Sequence, residues 1–255
     1  MIIKNGVLAG VLSLAGIPVA MAGTIDASVA PLAGTVSNGS WNNTFDFTTD
    51  GSVTDEGGGT FSYMGAFSDA NWDFDWALQA NADPFIAGAL TFTNVTASTQ
   101  TFNIVLSLPI LQEAGLVNET GELALTLSDS GGDGSADLAL NQWHGLINPI
   151  PAPPQLDMAL LIGSSFNCSG GPGCATALFP PAIATQQHGP ADHGGNPVDS
   201  IGIHLNFDLS AGDTATFNTR YELTAVPVPA AAWLFASGLA GLIGVARGKK
   251  QLTVQ

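Results

Sequence analysis

Ser200-Ile201-Gly202-Ile203-His204-Leu205-Asn206-Phe207-Asp208-Leu209 decides the fold class of this 255-residue chain. Ile201, Ile203, Leu205, Phe207 and Leu209 fall on one side of an extended strand, and His204, Asn206 and Asp208 on the other, the period-2 pattern of a half-buried strand. Ser210-Ala211-Gly212-Asp213 follows with turn chemistry and reads as a hairpin turn into Phe217, Thr219, Tyr221 and Leu223. Upstream, Phe102, Ile104, Leu106 and Leu108 alternate with Thr101, Asn103, Val105 and Ser107, and Leu123, Leu125 and Leu127 repeat the theme. Further strands are expected near 41–48, 60–67, 71–78 and 85–95. Eight to ten strands separated by turns predict an all-β fold, an antiparallel β-sandwich of jelly-roll-like or Ig-like type. The half from Gly131 to Gly195 reads as less regular. Asn148 to Pro154, Phe179-Pro180-Pro181 and His188-Gly189-Pro190 are expected in surface loops, because proline has no N–H for a sheet ladder.

Both ends of the chain differ from this body. Residues 1–22 carry one positive charge, Lys4, an apolar run and the small-x-small site Ala20-Met21-Ala22, the pattern of a secretory signal peptide cleaved before Gly23. Ala230 to Ala246 is uncharged and apolar all round, and as a helix would be roughly 25 Å long, close to a bilayer core of about 30 Å. Trp233 stands at one end of that span, with Arg247, Lys249 and Lys250 at the other. An acidic body before a basic stop places the body outside and residues 247–255 in the cytoplasm.

Val226, Pro227, Pro229, Ala230, Ala231, Trp233, Leu234 and Phe235, the Gly/Leu-rich span and the basic cluster together resemble the PEP-CTERM sorting signal of Gram-negative bacteria. Val228 departs from it, standing where the name-giving motif carries Glu between two prolines. The resemblance implies export through the Sec machinery, cleavage by signal peptidase, a transient stay in the inner membrane and processing by an exosortase. The destination it implies is the cell surface or an exopolysaccharide matrix. Asn71 to Trp76, Asp83-Pro84-Phe85, Leu90 to Thr96 and Gln100-Thr101-Phe102 also resemble an ectodomain type recurrent among PEP-CTERM cargo, which implies no particular activity. The expected division is a signal peptide at 1–22, a sandwich ectodomain at 23–225 and a sorting segment at 226–255.

Charge narrows the function of the ectodomain. Its 21 acids face Arg220 alone, a formal charge of −20. Such a field repels nucleic acid and anionic lipid. Cys168 and Cys174, the only cysteines, flank a Gly- and Pro-rich loop and read as a local structural disulfide in an oxidising compartment. Trp72, Phe74 and Trp76 share one strand face opposite Asp73 and Asp75; they form either a core row or a platform for sugar rings. Asp129, Asp133 and Asp137 are a candidate calcium loop, although their spacing of four and four is not that of an EF-hand. Calcium is the cofactor such a loop would hold. His188, Asp192 and His193 sit in a glycine-rich loop that reads as solvated. No Gly-x-Ser-x-Gly elbow or phosphate-cradling loop is present. The sequence therefore points away from an enzyme, and a hydrolase would need a pocket joining His144 or His204 to paired carboxylates. Two readings remain in front: a structural or adhesive surface protein linked to exopolysaccharide and biofilm, and a carbohydrate-binding or calcium-dependent matrix-binding module.

Overall fold

A computed structural model describes residues 30–113, 116–148, 156–160, 163–171, 173–188 and 198–226, with Phe235 and Ser237 beyond them. The expected signal peptide with Ala20 and Ala22, and the expected sorting residues Pro227, Val228, Pro229, Ala230, Trp233, Arg247, Lys249 and Lys250, lie outside the described residues. Among the described residues, no helix is long and apolar enough to cross a membrane.

The strands are β1 (Ala33–Ser37), β2 (Asn42–Asp46), β3 (Ser52–Gly57), β4 (Thr60–Ser68), β5 (Trp72–Asn81), β6 (Phe85–Asn94) and β7 (Gln100–Glu113). They continue with β8 (Val117–Ser128), β9 (Ser135–Ile147), β10 (Leu156–Leu160), β11 (Ser164–Ser169), β12 (Ala175–His188), β13 (Val198–Leu209) and β14 (Thr214–Ala225). Two antiparallel sheets result. One runs β10-β9-β13-β7-β1-β2 with β11 also on β9, and the other runs β12-β8-β14-β6-β5-β4-β3. Strand β6 pairs with β14, β7 with β13, β8 with β12, and β9 with β10 and β11. These nested pairs form one long ribbon, and it wraps so that β14 also meets β8 and β13 meets β9. That connectivity is jelly-roll-like, not Ig-like.

The alternation in the opening stretch holds: Ile201, Ile203, Leu205, Phe207 and Leu209 are buried. The turn after it does not make a hairpin. Strand β13 lies in the first sheet and β14 in the second, so Ser210 to Asp213 carries the chain from one layer to the other. Both strands keep their apolar side toward a shared core, where Phe207 meets Phe217 at 4.6 Å between ring centres. Asn94, fully buried, ties this corner by donating to the carbonyls of Ser98, Leu209 and Ser210.

Strand count and proline placement also differ from expectation. The region read as irregular holds β9, β10, β11 and β12. Phe179-Pro180-Pro181 lies within β12 because β12 is the end strand of its sheet and its register shifts between Leu178 and Ala182. A missing N–H is harmless at such an edge bulge.

One buried cluster runs from Ala30 to Leu223 through both sheets. Its polar exceptions are few. The buried Tyr63 hydroxyl donates to the Ala30 carbonyl, and burial pushes the phenol up to about 12. Fully buried Glu119 lies beside Tyr221, whose phenol is held well above its ordinary range by burial and then by that carboxylate.

Candidate functional site

The inward row on β5 is core. Trp72 and Phe74 are 0 % exposed and Trp76 is 3 % exposed, so the three rings do not form an open sugar platform. Strand β5 is flanked by β4 and β6 and must bury its apolar side, leaving Asp73 and Asp75 to face outward. Trp41 stacks on Trp72 at 4.8 Å with planes 6° apart, and Phe45 meets Trp76 edge-on at 5.9 Å.

Trp76 nevertheless borders a surface cleft. Strand β2 ends the first sheet and β3 the second, and a tight turn over residues 46–51 carries the chain between these edges. The Asp46 carbonyl accepts from the N–H groups of Thr49 and Asp50, at 2.9 and 2.8 Å. The Asp46 side chain accepts from the Thr48 N–H at 3.0 Å, and Asp50 Oδ2 accepts from the Asp46 N–H at 2.8 Å. This turn fixes the Asp50 carboxylate on the rim of a cleft of about 270 Å³. Phe45, Phe67 and Trp76 form its aromatic part, and Asn43, Thr44, Asp50 and Ala66 complete the lining.

Two features make the cleft more than a packing fault. The first is steric: a Cβ on Gly65, which pairs with Trp76 across β4 and β5, would stand 2.2 Å from Trp76 Cζ2. Only glycine leaves room for that ring. The second is polar: exposed Thr44 and Asp50 and half-buried Asn43 bring polar side chains to its lining. The site therefore sets half-buried Phe67 beside an acidic acceptor at the rim, over a floor formed by the buried rings of Phe45 and Trp76. A larger depression of about 340 Å³ crosses the outer face of the second sheet over Ala77, Ala87 and Gly88, but no aromatic ring lines it.

Asp129 is built the opposite way from a calcium ligand. It is buried at 4 % exposure, and its carboxylate accepts from the N–H groups of Gly132 at 2.6 Å, Gly134 at 3.0 Å and Gly173 at 3.2 Å. Gly132 and Gly134 have φ of 75° and 99°, which turns those donors inward. Burial pushes the carboxyl up, but these amides, with that of Asp133, outweigh it and hold Asp129 below its ordinary value. Oxygen atoms already facing N–H donors have no lone pair left for a cation. Asp133 accepts from the Ser135 N–H, and Asp137 accepts from the Asn167 amide, so the expected calcium loop is a hydrogen-bonded turn. Among the described residues, no group of three or more His, Cys, Asp or Glu side chains is gathered to hold a metal ion.

Cys168 and Cys174 form the expected disulfide, with Cα atoms 6.0 Å apart. It joins the end of β11 to the start of β12, and the Asp129 N–H donates to the Cys174 carbonyl at 3.0 Å. His144 and His204 are opposite one another on β9 and β13, ring centres 6.0 Å apart, on a sheet face rather than in a pocket with paired carboxylates. His204 bonds to Asn103 at 2.6 Å. Asp192, His193 and the side chain of His188 lie outside the described residues.

No protein-family model and no curated protein matches the chain. Among solved structures it is similar to TmCBM61, solved in complex with beta-1,4-galactotriose, at 10 % identity and a TM-score of 0.25, covering 71 % of this chain and 94 % of that one. It is also similar to the enzymatically active domain of bacteriophage CBA120 tailspike protein 4, at 16 % identity and a TM-score of 0.23, covering 61 % of this chain and 20 % of that one. Overlaps this slight transfer neither activity nor ligand to this chain.

Proposed function

We propose that this chain is an exported carbohydrate-binding protein of the cell surface or extracellular matrix, delivered by its sorting tail and acting by binding without catalysis. The cleft carries the proposal: half-buried Phe67 offers it an aromatic side, and exposed Thr44 and Asp50 with half-buried Asn43 offer polar groups to sugar hydroxyls. Of the lining side chains only Asp50 is acidic, whereas glycoside hydrolysis needs two carboxyl groups. The size is near the lower end of ligand pockets, about 300 Å³, and suits one sugar unit of a longer chain. Attachment to exopolysaccharide would give the protein its structural or adhesive role. Export is supported by the signal-peptide pattern at 1–22 and by the tail from Val226 to Lys250, with an exosortase as its processing partner.

Isothermal titration of the full chain with the exopolysaccharide of its own source should give saturable heat. Asp50→Ala, which removes an acceptor from the rim, should weaken binding by about tenfold, the worth of one hydrogen bond. Equal affinity of the two proteins would overturn the site, and the absence of heat would overturn the function. For the tail, intact-mass analysis of surface protein from cells with and without the sorting enzyme should show truncation in the first alone.

A further inference from the structure

We propose that the outer edge of β12 is a self-association surface, at which two copies of this chain pair strand to strand about a two-fold axis. The proposal does not rest on the carbohydrate reading. Strand β12 ends the second sheet and, among the described residues, pairs with β8 alone. An edge of this kind offers a row of backbone N–H and C=O groups to another strand, and folded proteins blunt it with charges, prolines, bulges or short length. Among the described residues, the other edges of the sandwich are blunted. Strands β2 and β10 have five residues each and carry Asp46 and Asp157. Strand β3 carries Asp55 and Glu56 and shifts register at its end, and β11 is six residues long and runs into the disulfide loop. Strand β12 has fourteen residues, none of them Asp, Glu, Lys or Arg. The bulge that holds Pro180 and Pro181 protects its first half, but residues 182–188 contain neither proline nor such a charge. Ile183, Thr185, Gln186 and Gln187 are exposed there, Ile183 by 60 %.

Charge selects a second copy as the occupant. The expected ectodomain has a formal charge of −20, so two copies repel wherever their carboxylates meet. Residues 182–188 are a strip on which a strand of one copy can meet the same strand of another without opposing carboxylates. A basic partner finds no acid on this strand and many elsewhere. The strip also complements itself. Antiparallel pairing about an axis at Ala184 sets Ile183 of each copy opposite Thr185 of the other, with the two Ile183 side chains diagonal across the axis and within reach. Ala182 and Ala184 pack against the core cluster, so the inner face continues across the junction. Two seven-stranded sheets then join edge to edge, and the clefts beside β4 and β5 lie toward the far ends. Such a dimer suits a bridge between two matrix chains.

Sedimentation of the full chain in mild detergent, with hydrogen exchange at two protein concentrations, tests the proposal. A concentration-dependent dimer is expected, tighter at high salt because screening weakens the repulsion between acidic bodies. Amides within residues 182–188 should exchange more slowly as the dimer fills. Ile183→Glu, which sets like charges beside the axis, should raise the dimer dissociation constant by at least about tenfold. Met64→Glu adds the same charge at a side chain 58 % exposed on β4, away from β12, and should leave that constant unchanged. A native chain that stays monomeric, equal weakening by the two variants, or slowed exchange confined to residues 226–255 would overturn the self-pairing. Slowed exchange at 182–188 in a monomer, seen only when the source's own polysaccharide is added, would overturn it as well and assign the edge to that ligand.

Discussion

Asp50 and Asp129 both sit in turns and both accept backbone N–H groups, yet they serve different ends. Asp129 is buried and takes three N–H donors in the described hydrogen bonds, so its carboxylate is used up in holding the β8–β9 loop against Gly173. Asp50 is exposed, takes one such donor, and stands beside an aromatic cleft. One region is a clasp and the other is a site. What separates them is how many backbone donors the local turn aims at the acid, since a carboxylate saturated by N–H groups has nothing to offer a ligand.

The comparison can be broken at its strongest points first. Trp76→Ala should lower unfolding stability by about 3–5 kcal/mol, because it removes a ring from the core as well as a wall from the cleft. Urea denaturation measures this, and a loss as small as that of a surface change would mean that the ring is not core. Replacing Cys168 and Cys174 together with Ser should cost roughly 2 kcal/mol and leave sugar affinity unchanged, since the clasp is apart from the cleft. Affinity falling along with stability would join the two regions.

Asp129→Asn should lower Tm at neutral pH, because an amide places N–H against the glycine donors. Asp129 is held low in the folded state, so the stability it contributes is present above the usual carboxylate range and is lost as pH falls through its folded value. The variant's Tm should accordingly fall less on acidification than the native protein's. Asp213 is shifted the other way, by burial first and also by the charges of Asp129, Asp133 and Asp137, against a bond from Ser210. For an acid held high, the folded state is favoured while the group is protonated, and that advantage is lost as pH rises through its folded value. Asp213→Asn should therefore raise Tm slightly at pH 7 and have less effect near pH 4; a drop at pH 7 would contradict the assignment.

Strand identity and facing were legible along β7, β13 and β14, where apolar and polar residues alternate without interruption. The local disulfide was legible too, because five residues of Gly- and Pro-rich loop leave the two cysteines no other near partner. The cleft was not, because its lining comes from β2, the turn after it, β4 and β5, and no linear motif joins them. Two signals hinted at it: Gly65 inside an otherwise regular strand, and Asp46 and Asp50 bracketing a short turn. Their meaning depends on the register that sets Gly65 opposite Trp76. The acidic loop misled for a related reason. Spacing counts carboxylates, but the φ angles of Gly132 and Gly134 decide whether those carboxylates face amides or open space.

By itself the sequence determined that the body is all-β, that its strands bury one side, and that Cys168 and Cys174 pair, since these follow from local periodicity and loop length. Only the tertiary structure decided which strands pair and which sheet each joins. It alone turned the expected hairpin at Ser210 to Asp213 into a corner between layers, and it alone set the Asp50 turn beside Phe67 and Trp76 at the edge. Those outcomes depend on how two apolar sheet faces close over one core, a long-range balance that no window of neighbouring residues contains.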